Sequence, residues 1–390
     1  MLPTPDPEFA LLLATLHWPD DSRRHSAITR AATGSIDWKR FLALVNRHRV
    51  GPLAAQGLAS ARVMLPRWLS EQTDRMPQRA AFAEMAMAAE LVRLQRLLIA
   101  EGIATIALKG PALSLRAFGK FGLRTYRDLD LLIPDTRLGE ACAVLEHAGY
   151  RVGEPAAAEP DATDSWRKNH KDLLLIHRDT GFPVELHWRL FDNRTVMPLS
   201  HLPADVALGF APLDEIQVLP IKADLAYLCV HGAMHGWSRL KWLADVNALL
   251  ATIPGAALTK IVATSTGSSR VAVAQALILC RDLLGASFPA VIDGVLSRSV
   301  AGRLLARLAW AQIRRSGVQE LEQRRFATTV KNLSHYALLR GGRSWLEELR
   351  FDFNVTPRDD GGAPRGQSRV RGWIARHLSP RECPSARTRL

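Results

Sequence analysis

Apolar residues recur at helical spacing through roughly the first hundred positions, and then the period changes. Asp37 stands where an N-cap is wanted, ahead of Trp38, Phe41, Leu42 and Val45, whose spacing gathers them on one helical face. Leu91, Leu94 and Leu98 share a face of a further predicted helix over about 84–100, ended by Gly102. Residues 103–108, Ile-Ala-Thr-Ile-Ala-Leu, are a short β-prone run stopped by Gly110-Pro111, both strong breakers of a strand. Pro111 suits the first turn of a helix, where its missing N–H would have no partner; that helix is predicted to reach Phe118, with Gly119 closing it. A polar loop leads to a second strand over 128–133, ended by Pro134, and then to a helix over 136–148, ended by Gly149. After an Ala/Glu/Pro-rich loop at 153–163, residues 173–177 and 183–190 read as two strands around the turn Asp179-Thr180-Gly181, and helical texture returns from about 221.

This pattern predicts an α+β chain: an N-terminal helical region over 1–98, a compact α/β core with a mixed sheet over 99–215, a C-terminal helical domain over 216–354, and an Arg/Gly/Pro-rich tail over 355–390 expected to be disordered. The tail has too few apolar residues to offset the entropy of ordering it. A length of 390 residues is ample for more than one domain, at about 150 residues each. No internal repeat is evident.

Composition narrows the class. With 47% hydrophobic and 23% charged residues the chain is globular. No apolar run approaches the roughly 18 residues that a membrane span requires, and no basic segment precedes Leu11–Leu13 as a signal peptide would demand. The four cysteines, at 142, 229, 280 and 383, form no CxxC pair, which argues against a zinc ribbon or a disulfide framework and fits a cytoplasmic protein. The net charge of +13 is concentrated late: residues 301–350 hold ten Lys/Arg against four acids, and 351–390 hold eight Arg against four acids. Such a block either attracts phosphate-bearing partners or is a solvated helical surface followed by a basic tail.

The sharpest chemistry lies in Asp128-Leu129-Asp130. Residues i and i+2 of a strand project from one face, so the two carboxylates point the same way. Two buried acids side by side repel, and a divalent cation with a taste for hard oxygen ligands relieves them. Glu185, on the same face as His187 of a neighbouring strand, is a candidate third carboxylate; three acids converging without enough cationic partners predict that removing one relieves strain. Lys109-Gly110, where a strand hands over to a helix N-terminus, puts a cation and free N–H groups where a phosphate binds well. His231 and His235 lie four apart on a helix, but no Glu follows the first and no third ligand is evident, so zinc is not expected. The segment His231–Arg239 reads as a polar face toward the cleft, with Trp237, Leu240, Trp242 and Leu243 packing a helix junction, while Arg239 and Lys241 either meet phosphate, pair with Asp245 or are solvated. P-loop, dinucleotide-binding and nucleophile-elbow glycine motifs are absent from the sequence.

The ordered set Leu108-Lys109-Gly110, Asp128-Leu129-Asp130-Leu131-Leu132, Glu185-Leu186-His187-Trp188 and His231–Trp237 resembles the DNA polymerase β-like nucleotidyltransferase fold. More closely, it is similar to a bacterial nucleotidyltransferase family of uncharacterised substrate, over about residues 35–350. The resemblance implies a nucleotidyltransferase that moves a nucleoside monophosphate from an NTP to an acceptor hydroxyl or phosphate, with release of pyrophosphate. It implies Mg²⁺ (or Mn²⁺) as cofactor, held by Asp128, Asp130 and Glu185 as catalytic carboxylates. Lys109, Gly110, Arg124, His187, His235 and Arg239 would meet the nucleotide or its phosphates. Where the wider superfamily has a small residue after glycine, this chain has Pro111, which removes an N–H and a hydroxyl; Lys109, with Arg116 or Arg124, would then carry more of the phosphate charge. The partners implied are an NTP or a nucleotide-linked donor and an acceptor that is a small molecule, a peptide or RNA. Three other readings stay open: transfer of a sugar or other activated group, a tRNA-modifying toxin, and a non-catalytic nucleic-acid-binding module.

Overall fold

The computed structural model describes residues 5–154, 166–202, 204–319 and 327–354. Its centre is a seven-stranded mixed sheet built from β1 (Ile106–Ala107), β2 (Leu129–Leu132), β3 (Tyr150–Glu154), β4 (Asp172–His177), β5 (Pro183–His187), β6 (Val206–Ala207) and β7 (Gln217–Val218), in the order β3-β4-β5-β2-β1-β7-β6. β2 runs parallel to β5 and antiparallel to β1, and β4 runs antiparallel to β5. Helices flank this sheet in sequence on both sides, as the hydropathy pattern predicts.

Local chemistry accounts for most element ends. Asp37 caps the Trp38–His48 helix by accepting the N–H groups of Lys39 and Arg40, each at 3.0 Å. The helix predicted from about 84 begins earlier, at Met76, because Pro77 sits in its first turn where proline costs nothing; Leu91, Leu94 and Leu98 are buried as expected. Gly119, with φ +71, ends the segment after Lys109, but that segment is one α-turn, Gly110–Leu113, followed by a π-turn, Ser114–Phe118. Strand β1 is shorter than the apolar run at 103–108. Residues 153 and 154, read as loop, belong to β3. The rest of that Ala/Glu/Pro-rich stretch and the tail from 355 lie outside the described residues. Strands β3, β6 and β7 were not legible in the sequence; the last two span two residues each, too few for any period to register.

Two buried clusters divide the interior. One side of the sheet, carrying Leu129, Leu131, Val184 and Leu186, packs on Leu91, Leu94 and Leu98 of the Met76–Ala100 helix. The other cluster joins the N-terminal helices to the helices after residue 220 and includes Leu132 of β2. Phe9 and Trp310 meet within it, ring centroids 5.6 Å apart. The sheet face bearing Asp130 therefore looks toward a helical body assembled from both ends of the chain.

That body contains one very close approach. Trp237 is fully buried with φ +50, and a Cβ on Gly232 would lie 2.3 Å from its Cζ3. Gly232→Ala is therefore expected to destabilise by about 1–3 kcal/mol through overpacking. Gly294→Ala, mid-helix and in ordinary contact only with the end of Arg298, should stabilise by about 0.5–1 kcal/mol. Chemical denaturation of both variants checks the pair.

Candidate active site

The register of the two parallel strands builds the site. Asp130 pairs with Glu185 and Leu132 with His187 across β2 and β5, so alternation puts Asp130, Glu185 and His187 on the face turned to the helical body. Their ligand atoms all lie within 4.8 Å of one another, and among the described residues this is the one cluster of acids, histidines and cysteines with metal-ligand spacing. Asp128 precedes the first residue of β2.

Asp130 is shared between two donors. His187 Nε2 donates to its Oδ1 at 3.0 Å, and the Lys109 ammonium stands 3.4 Å from its Oδ2. Burial resists ionisation of Asp130, but the charge of Lys109 and the His187 hydrogen bond outweigh it and hold the carboxyl well below its usual range. Lys109 is held protonated in turn: burial opposes its charge, and Asp130 prevails. Its ammonium also lies over the ring of Tyr227, 5.3 Å from the centroid. Asp128 behaves oppositely. Burial, then the charges of Asp130 and Glu185, push its pKa up against the pull of Lys109 and Lys241. The expectation of acids short of cationic partners is thus corrected for Asp130, whose partners are Lys109 and His187.

The strand-to-helix turn is strained where the chemistry is. Lys109 has φ 52 and ψ −133, and Gly110 also has φ +52. A non-glycine residue in such a conformation costs on the order of 1–3 kcal/mol. Packing holds it there, since the Gly110 carbonyl accepts from Arg124 Nη1 at 2.7 Å.

Arg124 and Arg116 turn their donors inward. Arg124 Nε and Nη2 donate to Asp245 Oδ1 and Oδ2 at 2.6 and 3.0 Å, so with the Gly110 bond all three guanidinium nitrogens are engaged. Arg116 Nη1 donates to the Leu219 carbonyl at 2.6 Å and to Asp224 at 2.7 Å. Both tie the Lys109–Phe118 segment to the helical body, where the sequence suggested phosphate contacts. His235 is exposed and stacks on Trp242, centroids 4.9 Å apart, with His231 4.6 Å away. Arg239 is half-buried at the N-cap position of the Leu240–Ala251 helix. Trp237, Leu240 and Leu243 are buried at that helix junction, as expected.

Three neighbours escaped the sequence reading. Asp172, the first residue of β4, pairs in register with His187, its Oδ2 3.9 Å from Nε2, and the Lys171 ammonium pairs with Asp172. Lys171-Asp172 ahead of a β-run was a usable signal. Tyr227, buried on the Ile221–Met234 helix, had none, because nothing local says which core position will face a lysine far earlier in the chain.

Residues 34–285 match the model of a family described as uncharacterised nucleotidyltransferase. No curated protein matches the chain. Among solved structures, that of the antibiotic-resistance factor ANT(2'')-Ia, described as showing substrate-regulated conformation dynamics, is similar at a TM-score of 0.33 and 16% identity, over 45% of this chain and 89% of that one. Among the described residues, no helix is long and apolar enough to cross a membrane.

Removing one partner of a buried ion pair strands the other charge, at a cost of about 3–5 kcal/mol. Lys109→Met should therefore destabilise the metal-free protein strongly at pH 7, and Lys109→Met/Asp130→Asn should recover most of the loss. Because the folded carboxyl of Asp130 lies well below the ordinary aspartate value of 3.8, its contribution is complete above that value and is lost as the pH falls toward the folded pKa. The gap between wild type and Lys109→Met should accordingly narrow in acid, as read from denaturation midpoints in EDTA between pH 7 and 3.

Proposed function

This chain belongs to the uncharacterised nucleotidyltransferase family and is a transferase, and on that premise we propose that it moves a nucleoside monophosphate from an NTP to an acceptor hydroxyl or phosphate. The acceptor oxygen forms a bond to the α-phosphorus, the α–β bridging P–O bond breaks, and pyrophosphate leaves. The observation that carries this reading is the side-by-side placement of Asp130 and Glu185 on two parallel strands, with Asp128 just ahead of the first.

The donor set suits a divalent cation. It is rich in carboxylate oxygens, and Asp128 is held reluctant to ionise by burial and by its two acidic neighbours, a tension that an added cation relieves. We assign Asp128, Asp130 and Glu185 to Mg²⁺ or Mn²⁺, which when bound would supply charge neutralisation for the transferred phosphoryl group. His187 fixes the orientation of Asp130 through its 3.0 Å hydrogen bond. Glu185, with its side chain 32% exposed against 6% for Asp130, faces the side from which an acceptor can approach and would accept the hydrogen bond of its hydroxyl. Lys109, 18% exposed, would pass from Asp130 to the donor phosphates, with the Gly110 backbone beside it. Arg124 would position that turn, and His235 and Arg239 would border the donor side.

Pro111 in the first turn of the Gly110–Leu113 helix offers no N–H to a triphosphate, which favours a nucleotide-sugar donor as the second reading. The test is incubation of the protein with each α-labelled NTP, Mg²⁺ or Mn²⁺ and cell extract. Label is expected in one class of acceptor and should fall by about 10²–10³ in Asp130→Asn, as when a charge-stabilising group is lost from a transition state. In thermal shift, Mn²⁺ should raise the melting temperature of wild type and not of Glu185→Gln, while Lys109→Ala keeps the metal response and loses that to nucleotide. Stabilisation by nucleotide-sugars alone would move the assignment to sugar transfer.

A further inference from the structure

A concavity with a cationic lining lies apart from the carboxylates, next to the loops that flank β4 and β5. It is a cleft of about 660 Å³ formed between the loops around β4 and β5 and the Gly342–Asn354 helix. Its walls carry Lys168, Arg194, Arg343 and Arg350 against two acids, Asp192 and Glu347. Glu347 accepts from Arg350 at 3.2 Å, and burial pushes the Asp192 carboxyl up. Lys168, Arg194 and Arg343 are exposed; Arg194 Nη2 donates to the Lys168 carbonyl at 2.7 Å, which brings two of the cations together.

The helix forming one wall is pinned to the core by buried bonds. Asn193 Nδ2 donates to the Ser344 carbonyl at 3.0 Å and to Glu348 at 2.8 Å. The floor connects to the candidate active site within a few side chains. Asp192 accepts the Lys171 N–H at 2.9 Å, the Lys171 ammonium pairs with Asp172, and Asp172 lies 3.9 Å from His187, which bonds Asp130. In the sheet order β4-β5-β2-β1, this cleft belongs to the β4 side and Lys109 to the β1 side, with the carboxylates of β2 and β5 between them.

We infer that this cationic cleft holds the acceptor and that the acceptor is a single-stranded polynucleotide, read through its phosphodiester backbone. The inference rests on the nucleotidyl-transfer reading above. Several cations spaced around one cleft, with the Phe351 ring among its lining, suit a chain of phosphates with bases to stack better than a single anionic group. Arg343 and Arg350, which line the cleft, belong to the block over residues 301–350 that holds ten Lys/Arg against four acids, and an excess of positive charge of that kind steers a polyanion.

The experiment measures binding of a labelled single-stranded oligoribonucleotide to the full chain by fluorescence anisotropy across a salt series. Wild type should bind with a steep salt dependence. Arg194→Ala/Arg343→Ala should weaken binding on the order of tenfold near 0.1 M salt and lower the salt slope by about 1.4, with the melting temperature and its response to nucleotide and Mn²⁺ unchanged. Asp128→Asn should bind the oligonucleotide as wild type does and label nothing. Equal affinity of wild type and the double variant overturns the inference, as does preference for a multiply phosphorylated peptide over the oligonucleotide. Absence of any nucleotide or metal response alongside retained, cleft-dependent oligonucleotide binding would instead remove the transfer reading and leave the cleft as a nucleic-acid site.

Discussion

Asp130 is a carboxylate taken almost wholly out of water in the middle of a sheet, and the surrounding architecture answers that fact. An unpaired charge there would be intolerable. Lys109 from the end of β1 and His187 from β5 reach its two oxygens from different strands. The strained turn at Lys109, the ring of Tyr227 beneath its ammonium and the register between β2 and β5 all serve that meeting. In each case the cost is local and the return is a charged group held at one position.

The same logic explains why the site lies between two bodies. The face of β2 and β5 opposite Asp130 is apolar and closes on the Met76–Ala100 helix. The polar face is met by a helical body that contributes Tyr227, Asp224 and Asp245. Buried arginines make the joint: Arg124 binds Asp245 through two nitrogens and Arg116 binds Asp224. Such pairs add little net stability when complete, yet they are expensive to break, so they fix geometry more than they strengthen the fold. For a group transfer that depends on placing phosphates against carboxylates, fixed geometry is the useful property.

The chain belongs to the nucleotidyltransferase family and its sheet register sets Asp130 beside Glu185, while the turn after Lys109 departs at Pro111 from the pattern that the sequence resemblance leads one to expect. The inward-turned Arg116 and Arg124 do not make up for that departure, which leaves Lys109 as the cation nearest the strand-to-helix turn. On the proposed reading, the cationic cleft on the opposite flank would hold the acceptor, with the two substrates divided between two ends of one sheet face.

What the sequence determined by itself is what depends on neighbours along the chain. Alternation put Asp130 opposite its apolar neighbours Leu129 and Leu131 and kept Glu185 with His187 on one side of their strand, the Asp37 cap and the Gly119 stop marked element ends, and the motif order pointed to the family. What only the tertiary structure decided depends on partners distant in sequence. That β2 and β5 are adjacent, parallel and in the register that sets Asp130 against Glu185 is a property of the sheet. That Arg124 is consumed by Asp245, 121 residues away, turns an apparent ligand contact into a brace, and no local pattern distinguishes the two because an arginine looks the same in either role. Tyr227, Lys171 and Asp172 joined the site for the same reason. Periodicity reports which way a side chain points, but the charge or ring it will meet is set by packing between segments whose separation the pattern does not encode.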